Sequence, residues 1–277
     1  MAVSSFPPKA PGPPPRDVRA LTVGFTAPAV HLVGTQDARR SYIGGVPHLP
    51  LGIQWPARDG RPLDFLARID LHELGVAHRF DWLPSTGVLL FFYDAENQPW
   101  GFDPKDKGGW AVIFLREAES LHADLTMNRH SKSPLPQKKV VFRRIDSYPS
   151  PERDAIAGLN LTDPEADLLS ELQEGQYQNL PQHQTGGYPA PVQGDGMELE
   201  SQLASNGLYC GDATSHDDRR VASLRDGCKD WRLLLQFDSD DDLNVMWGDC
   251  GKLYFWVREQ DARLGRFDAA WVVLQCS

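Results

Sequence analysis

The chain has 277 residues, 41% hydrophobic and 10% aromatic, enough for one filled core, since a globular protein of this size buries roughly 75% of the surface its unfolded form exposes. The net charge of -10 is unevenly placed, with 15 Lys and Arg against 14 Asp and Glu in residues 1–138 and 13 against 24 in residues 139–277; an acidic half repels phosphate backbones, which disfavours nucleic acid and favours a cationic protein partner. With no run of about 18 apolar residues, no charged-then-apolar leader and no C-x-x-C among Cys210, Cys228, Cys250 and Cys276, a cytoplasmic protein without a membrane partner is expected, and the common zinc and redox motifs are absent.

Residues 1–16 carry six prolines and read as an extended tail, with a proline-rich ligand for an aromatic groove as the alternative. The single domain is therefore expected over 17–277. Strand signals follow at Leu21–Phe25, Phe65–Ile69, Gly87–Tyr93, Trp110–Arg116 and Lys139–Ile145, then at Trp231–Phe237, Gly251–Val257 and Ala270–Gln275. GVLLFFY is apolar without alternation and is expected to be covered on both faces, whereas WRLLLQFDS alternates and predicts a half-buried strand. Asp163-Pro164 opens a helix that Gly175 stops, and a second helix runs from Met197 to Ser205 before Asn206-Gly207. Short helical turns are predicted at Leu71–Leu74 and Glu259–Leu264. The polar, glycine-interrupted stretch 211–229 predicts a loop or insertion with at most a short helix.

One short grammar occurs twice in the same order. SYIGGVPHLP (41–50), DFLARIDL (64–71) and GVLLFFYD (87–94) are echoed by QTGGYPAPVQ (184–193), WRLLLQFDS (231–239) and GKLYFWV (251–257). Each copy is a Gly-Gly-x-Pro turn followed by two apolar runs. The prediction is an α+β, strand-rich, mostly antiparallel sheet with an internal pseudo-two-fold repeat, about 41–145 and 184–277, and a few helices in the second half.

These segments, with Trp55-Pro56, LPSTGVLLFFYD, HQTGGYPAPVQ, LLLQFDSDDD and MWGDCGKLYFWV, resemble the YwqG-like family, a domain of unknown function widespread in bacteria. The match covers roughly Tyr42 to Cys276. The resemblance implies one α+β domain with no agreed catalytic role. It also implies kinship with proteins encoded near polymorphic toxin systems, which look like immunity or accessory proteins. It carries no functional residues across.

Candidate chemistry comes from local patterns. Asp238, Asp240 and Asp242 fall at positions 1, 3 and 5 of a calcium-loop template and Asp249 at position 12, but Leu243 stands where the template needs glycine. These four are candidate ligands of a divalent cation, the one cofactor considered; a solvated acidic loop is the alternative. Trp247, Gly248 and Asp249 form either a ligand platform or a buried anchor at a tight hairpin, with the anchor favoured. Gln182, His183, Gly186 and Gly187 at the second turn become binding residues if both turns share one cleft. Core packing is the plain reading of the eight tryptophans, and Trp55, Trp82 and Trp100, which proline and polar neighbours place in loops, are the candidates for an interface or a ligand pocket. The eight histidines (31, 48, 72, 78, 122, 130, 183, 216) are dispersed, and no G-x-S-x-G, P-loop, dinucleotide or H-E-x-x-H motif occurs.

The sequence therefore leans to a non-enzymatic binding protein, of immunity or accessory type, that meets a cationic partner through its acidic half. The alternatives are a small-molecule site or an enzyme in a cleft between the two halves, with Trp247, Asp249 and His183 as its residues, and an orphan domain whose tail recruits a partner.

Overall fold

The computed structural model describes residues 14, 16–116, 135–212 and 218–277. The proline-rich stretch 1–13, Pro15 and His122, His130 and His216 lie outside the described residues, as does part of the 211–229 stretch. Arg16 is fixed: its backbone N–H and guanidinium donate to Glu165, holding that carboxyl well below the usual range. Asp17 then caps a helix, accepting from Ala20 N–H at 3.1 Å. The strand expected at Leu21–Phe25 is thus replaced by helix α1 (Val18–Thr22) and a 3₁₀ turn, Val23–Phe25. The β-branched Thr22 and Val23 suggested extension, but the cap upstream sets the backbone.

The strands are β1 (Ala27–Thr35), β2 (Tyr42–Ile43), β3 (Ala57–Arg58), β4 (Arg61–Pro62), β5 (Asp64–Asp70), β6 (Val88–Tyr93), β7 (Trp110–Leu115), β8 (Lys138–Ser147), β9 (Gln184–Gly186), β10 (Trp231–Asp238), β11 (Lys252–Arg258) and β12 (Trp271–Gln275). β3 and β4 make a small hairpin. Among the described residues the other ten form one sheet in the order β12-β11-β10-β9-β1-β8-β2-β5-β6-β7, and every pairing in it is antiparallel. The centre is the long β1–β8 ladder, with Val33 opposite Val141. From it β9, β10, β11 and β12 run outward on one side, and β2, β5, β6 and β7 on the other.

The sheet curls until its ends meet as a nearly closed barrel. Trp110 Nε1–H donates to the Ala270 carbonyl at 2.9 Å and its ring lies 4.9 Å from Trp271, while Phe91 and Phe255 meet edge to face at 5.3 Å. Curling hides the inner face and leaves few free strand edges. The segment after Trp100 covers β12: Leu274 N–H donates to Trp100 O, and a Cβ on Gly101 would lie 1.7 Å from Val272 O. All of β6 is buried, in line with its unbroken apolar run. β10 departs from expectation. It is buried on both faces, with Leu234 and Gln236 at 0% exposure: a register shift between Leu233 and Leu235 interrupts the alternation, and Gln236 is covered by the segment it bonds at Gln182 O and Ala190 N–H.

Among the described residues the helices are α1, α2 (Leu71–Ala77), α3 (Asp163–Gly175), α4 (Met197–Ser205), α5 (Arg220–Leu224) and α6 (Glu259–Arg263). α3 matches its predicted span, though its cap is Thr162, which forms a capping box with Glu165. α1 adds helix to the first half where a strand was expected, while α2 extends the turn predicted at Leu71–Leu74. No helix among the described residues is long and apolar enough to cross a membrane.

Candidate functional site

Trp247 is the buried anchor. At 1% exposure its ring meets Tyr93 edge-on at 5.5 Å and Phe237 at 6.0 Å. Gly248 N–H donates to Gln98 Oε1, and Asp249 is exposed, its carbonyl accepting from Ser277 N–H. Trp55 is likewise structural: Nε1–H donates to Leu63 O at 2.8 Å and the ring packs on Phe92 at 5.3 Å. Trp82 is buried rather than displayed in a loop, while Trp100 stays 40% exposed.

His183 is buried and fully engaged. Asp238 N–H donates to its Nδ1 at 3.1 Å, so the ring proton lies on Nε2, 3.2 Å from Asp240 Oδ2. His183 and Lys138 hold the Asp240 carboxyl below its ordinary value against the opposing effect of burial. The Lys138 ammonium sits 2.6 Å from Asp242 and 3.5 Å from Asp240, while Asp238 accepts from Gln182 N–H. A protein cation therefore stands where the calcium-loop template would place an ion. Among the described residues no group of three or more His, Cys, Asp or Glu could hold a metal ion. The four aspartates are not brought together as a ligand set.

Three buried glutamines fix the second Gly-Gly turn, and nothing in the apolar patterning of their strands announced them. Gln184 Nε2 donates to Gly186 O and Tyr188 O. Gln236 accepts from Ala190 N–H and donates to Gln182 O, and Gln275 accepts from Val192 N–H and Gln193 N–H and donates to Gly194 O. Each is at most 1% exposed. A primary amide offers both donor and acceptor, so one side chain satisfies several backbone groups of a buried irregular segment. Gln182 completes the clamp by accepting from the half-buried Lys252 ammonium at 2.8 Å, and desolvation lowers the pKa of that lysine.

The two turns do not share a cleft. β2 pairs with β8 at Lys138 and Lys139, whereas β9 pairs with β1 at Ala29 to His31, which puts the turns at opposite ends of the central ladder. Gly44 and Gly45 are covered by Leu135–Gln137. Gly186 and Gly187 instead line a cleft of about 1000 Å³. Both adopt positive φ, +71° and +67°, and a Cβ there would lie 2.3 Å from the Phe80 ring or 2.2 Å from Ser147 Oγ.

The cleft brings together Phe80 and Trp82 from the loop after α2, Arg153, the Gly186–Tyr188 turn, Asp195 and Glu198 at the start of α4, and Trp231 and Trp256 from the barrel. The Arg153 guanidinium stacks 4.8 Å over the Tyr188 ring and donates to Asp195 at 2.5 Å and to Glu198. Burial, reinforced by Glu198, pushes Asp195 up to about 6 against the pull of Arg153. Glu200 is pushed up to about 7 by burial and by the charges of Glu198 and Asp195. Asp195 Oδ2, Glu200 Oε2 and Trp256 Nε1 are buried without a hydrogen-bond partner in the protein. Such groups are costly to leave unpaired; Asp195 and Trp256 belong to the cleft lining, and Glu200 does not.

A family model for a domain of unknown function, DUF1963, matches residues 41–276. The chain belongs to the DUF1963 family. Comparison with curated proteins gives no match. In this DUF1963 chain the match runs from Ser41, before the first Gly-Gly turn, to Cys276 after β12, so it leaves out β1, the strand on which the second half docks. Of the residues singled out from sequence, Trp82, Gly186 and Gly187 line the cleft; Trp55, Trp100, Gln182, His183, Trp247, Gly248 and Asp249 do not. Arg153, Asp195, Glu198, Phe80 and Trp256 carried no local signal, because they come from separate segments that only the fold assembles.

Proposed function

We propose that this chain is a cytoplasmic, non-enzymatic binding protein that captures its ligand in the cleft beside Gly186–Tyr188. The carrying observation is a cleft of about 1000 Å³ whose lining combines buried aromatic rings with two buried polar atoms, Asp195 Oδ2 and Trp256 Nε1, that have no protein partner. That is the composition of small-ligand and peptide sites. Binding is preferred to catalysis because His183, the histidine considered for acid-base work, has both ring nitrogens committed within the fold. Ala155 is exposed on the cleft lining and gives a clean test. Compounds and peptides that raise the melting temperature of the wild type should lose that effect with Ala155→Trp, which fills the cleft. Hits indifferent to the substitution would move the site elsewhere.

A second reading, an immunity-type or accessory protein for a cationic partner, is favoured by the excess of 24 acidic over 13 basic residues in 139–277. Its test is co-purification with a neighbouring toxin. Affinity that ignored ionic strength would remove the electrostatic part.

We also infer an internal pseudo-two-fold repeat, with boundaries moved to β1–β7 and β8–β12. Its support is a shared register. Tyr42 opposes Arg68 as Gln184 opposes Gln236, and the shift between Phe65 and Ala67 recurs between Leu233 and Leu235. Asp70 opposes Val88 as Asp238 opposes Lys252, and Val88 opposes Leu115 as Lys252 opposes Gln275. Under this mapping Phe91 and Phe255 are equivalent residues that touch one another, and Val33 and Val141 lie opposite each other at the axis. The test is an experimental structure: superposing the two strand sets should overlay both register shifts, and a mismatch of even one residue would sink the repeat.

A further inference from the structure

The cleft carries its own chemistry, and the ligand class inferred from it rests on the cleft being a binding site. Asp195 and Glu198 share a single guanidinium, that of Arg153. Their side chains are withdrawn from solvent, at 1% exposure for Asp195 and 16% for Glu198. One cation between two carboxylates leaves an excess of negative charge where water cannot screen it.

The other charges on the lining do not cancel that excess. Arg79, Arg225 and Lys229 are exposed and make no ion pair among the described residues, and they are interspersed with the equally exposed Glu152, Asp154 and Asp226. Arg232 is engaged by Glu259 at 2.6 Å. Exposed charges of both signs are screened by solvent, so the buried carboxylates set the preference at depth. No group of three donors among the described residues could hold a metal ion, which points to a larger cation whose charge is delivered on an apolar body. Phe80, Trp82, Trp231 and Trp256 supply the surface for that body, and Tyr188 already carries one guanidinium on its face.

We propose that the cleft binds an alkyl ammonium or guanidinium cation, the head group of a lysine or arginine side chain or of a free amine of the same shape, with Asp195 and Glu198 neutralising the charge and the aromatic wall holding the stem. Arg153 positions Asp195 and Glu198 for this role, since its stacking on Tyr188 fixes the pair. A basic side chain of a protein and a free polyamine present the same chemistry.

Calorimetry with the full chain separates the possibilities. The cationic probes are acetyl-arginine amide, acetyl-lysine amide, agmatine and a short peptide carrying one arginine. Acetyl-citrulline amide and Nε-acetylated acetyl-lysine amide are the neutral counterparts, and acetyl-glutamate amide is the anion. Cations should bind at least about tenfold tighter than their neutral counterparts, and Asp195→Asn should weaken them by about tenfold. Glu198→Gln removes the second of the two carboxylate charges on the lining and should weaken cation binding several-fold. Ala155→Trp should abolish the signal. Tight agmatine binding assigns a free amine, and binding of the peptide alone assigns a protein partner. If neutral or anionic probes bind as well as cations, and Ala155→Trp removes them, the cation proposal fails while the binding site stands. If no probe of any charge gives a signal sensitive to Ala155→Trp, both fall.

Discussion

The two Gly-Gly turns are built alike and used differently. Gly44-Gly45 and Gly186-Gly187 all take positive φ at the end of a short strand that pairs with the central ladder. The first is closed over: Gly45 N–H donates to Leu135 O at 2.7 Å, and a Cβ on Gly44 would lie 2.1 Å from Pro136 O. Its strand entry is held by Glu73, which accepts from Arg40 N–H and from Ser41 N–H and Oγ–H. The second is held from behind by Gln184, Gln236 and Gln275 and faces the cleft. The difference shows how one strand framework keeps one turn as structure and opens the other to solvent. Backbone geometry is shared, and the side chains that satisfy the neighbouring polar groups decide what remains accessible.

The largest effect that would break the comparison is at Gln236. Gln236→Leu strands Ala190 N–H and Gln182 O in a dry environment, and chemical denaturation should record a loss of about 2–5 kcal/mol. Under the proposed repeat the corresponding position is the half-buried Arg68, where Arg68→Leu should cost under about 1 kcal/mol. Equal losses would mean that the amide clamp does not distinguish the halves.

Next come the turns themselves. Gly44→Ala and Gly187→Ala both force a Cβ into the left-handed region and against a close neighbour, and each should cost about 2–3 kcal/mol. Only Gly187→Ala should alter the cleft. If both substitutions changed the binding of agmatine or acetyl-arginine amide, the turns would be functionally coupled.

The pH dependence sharpens the contrast with signs. Glu73 lies below its ordinary value because the bonds from Arg40 and Ser41 outweigh burial, so its contribution is present at neutral pH and is lost as pH falls through the acid range. Asp195, raised to about 6, acts oppositely. The folded chain keeps a proton that the unfolded chain has released, so stability falls as pH rises from about 4 to about 6. Asp195→Asn should flatten that part of the stability curve by about 1–2 kcal/mol. An unchanged slope would place the titration elsewhere. Smallest of all, Asp249→Asn should shift stability by no more than about 0.5 kcal/mol, because the side chain is exposed.

Much of the fold was legible because it is local. The apolar runs of β5, β6, β7, β10, β11 and β12, the turn glycines, and the proline-led start and glycine end of α3 are written in consecutive residues. β1 was not anticipated, since its strand pattern starts with Ala-Pro-Ala and its reason to extend is the partner β8, more than 100 residues away. The site was legible only in part. Gly186 and Gly187 stand out in the sequence as turn residues, and Trp247 packs against Tyr93 and Phe237. His183 and the aspartates drew attention for chemistry that the fold spends on internal hydrogen bonds.

By itself the sequence determined the family, the strand-rich class and the recurring order of turn, strand and strand, because periodicity and turn chemistry act over a few residues. Only the tertiary structure decided which Gly-Gly turn stays open, that Lys138 stands between Asp240 and Asp242, and that Arg153, Asp195 and Glu198 meet beside aromatic rings from the other half. Those outcomes depend on pairings across the central ladder, where burial raises the electrostatic cost of every unmatched group, and burial is not a property of any one segment.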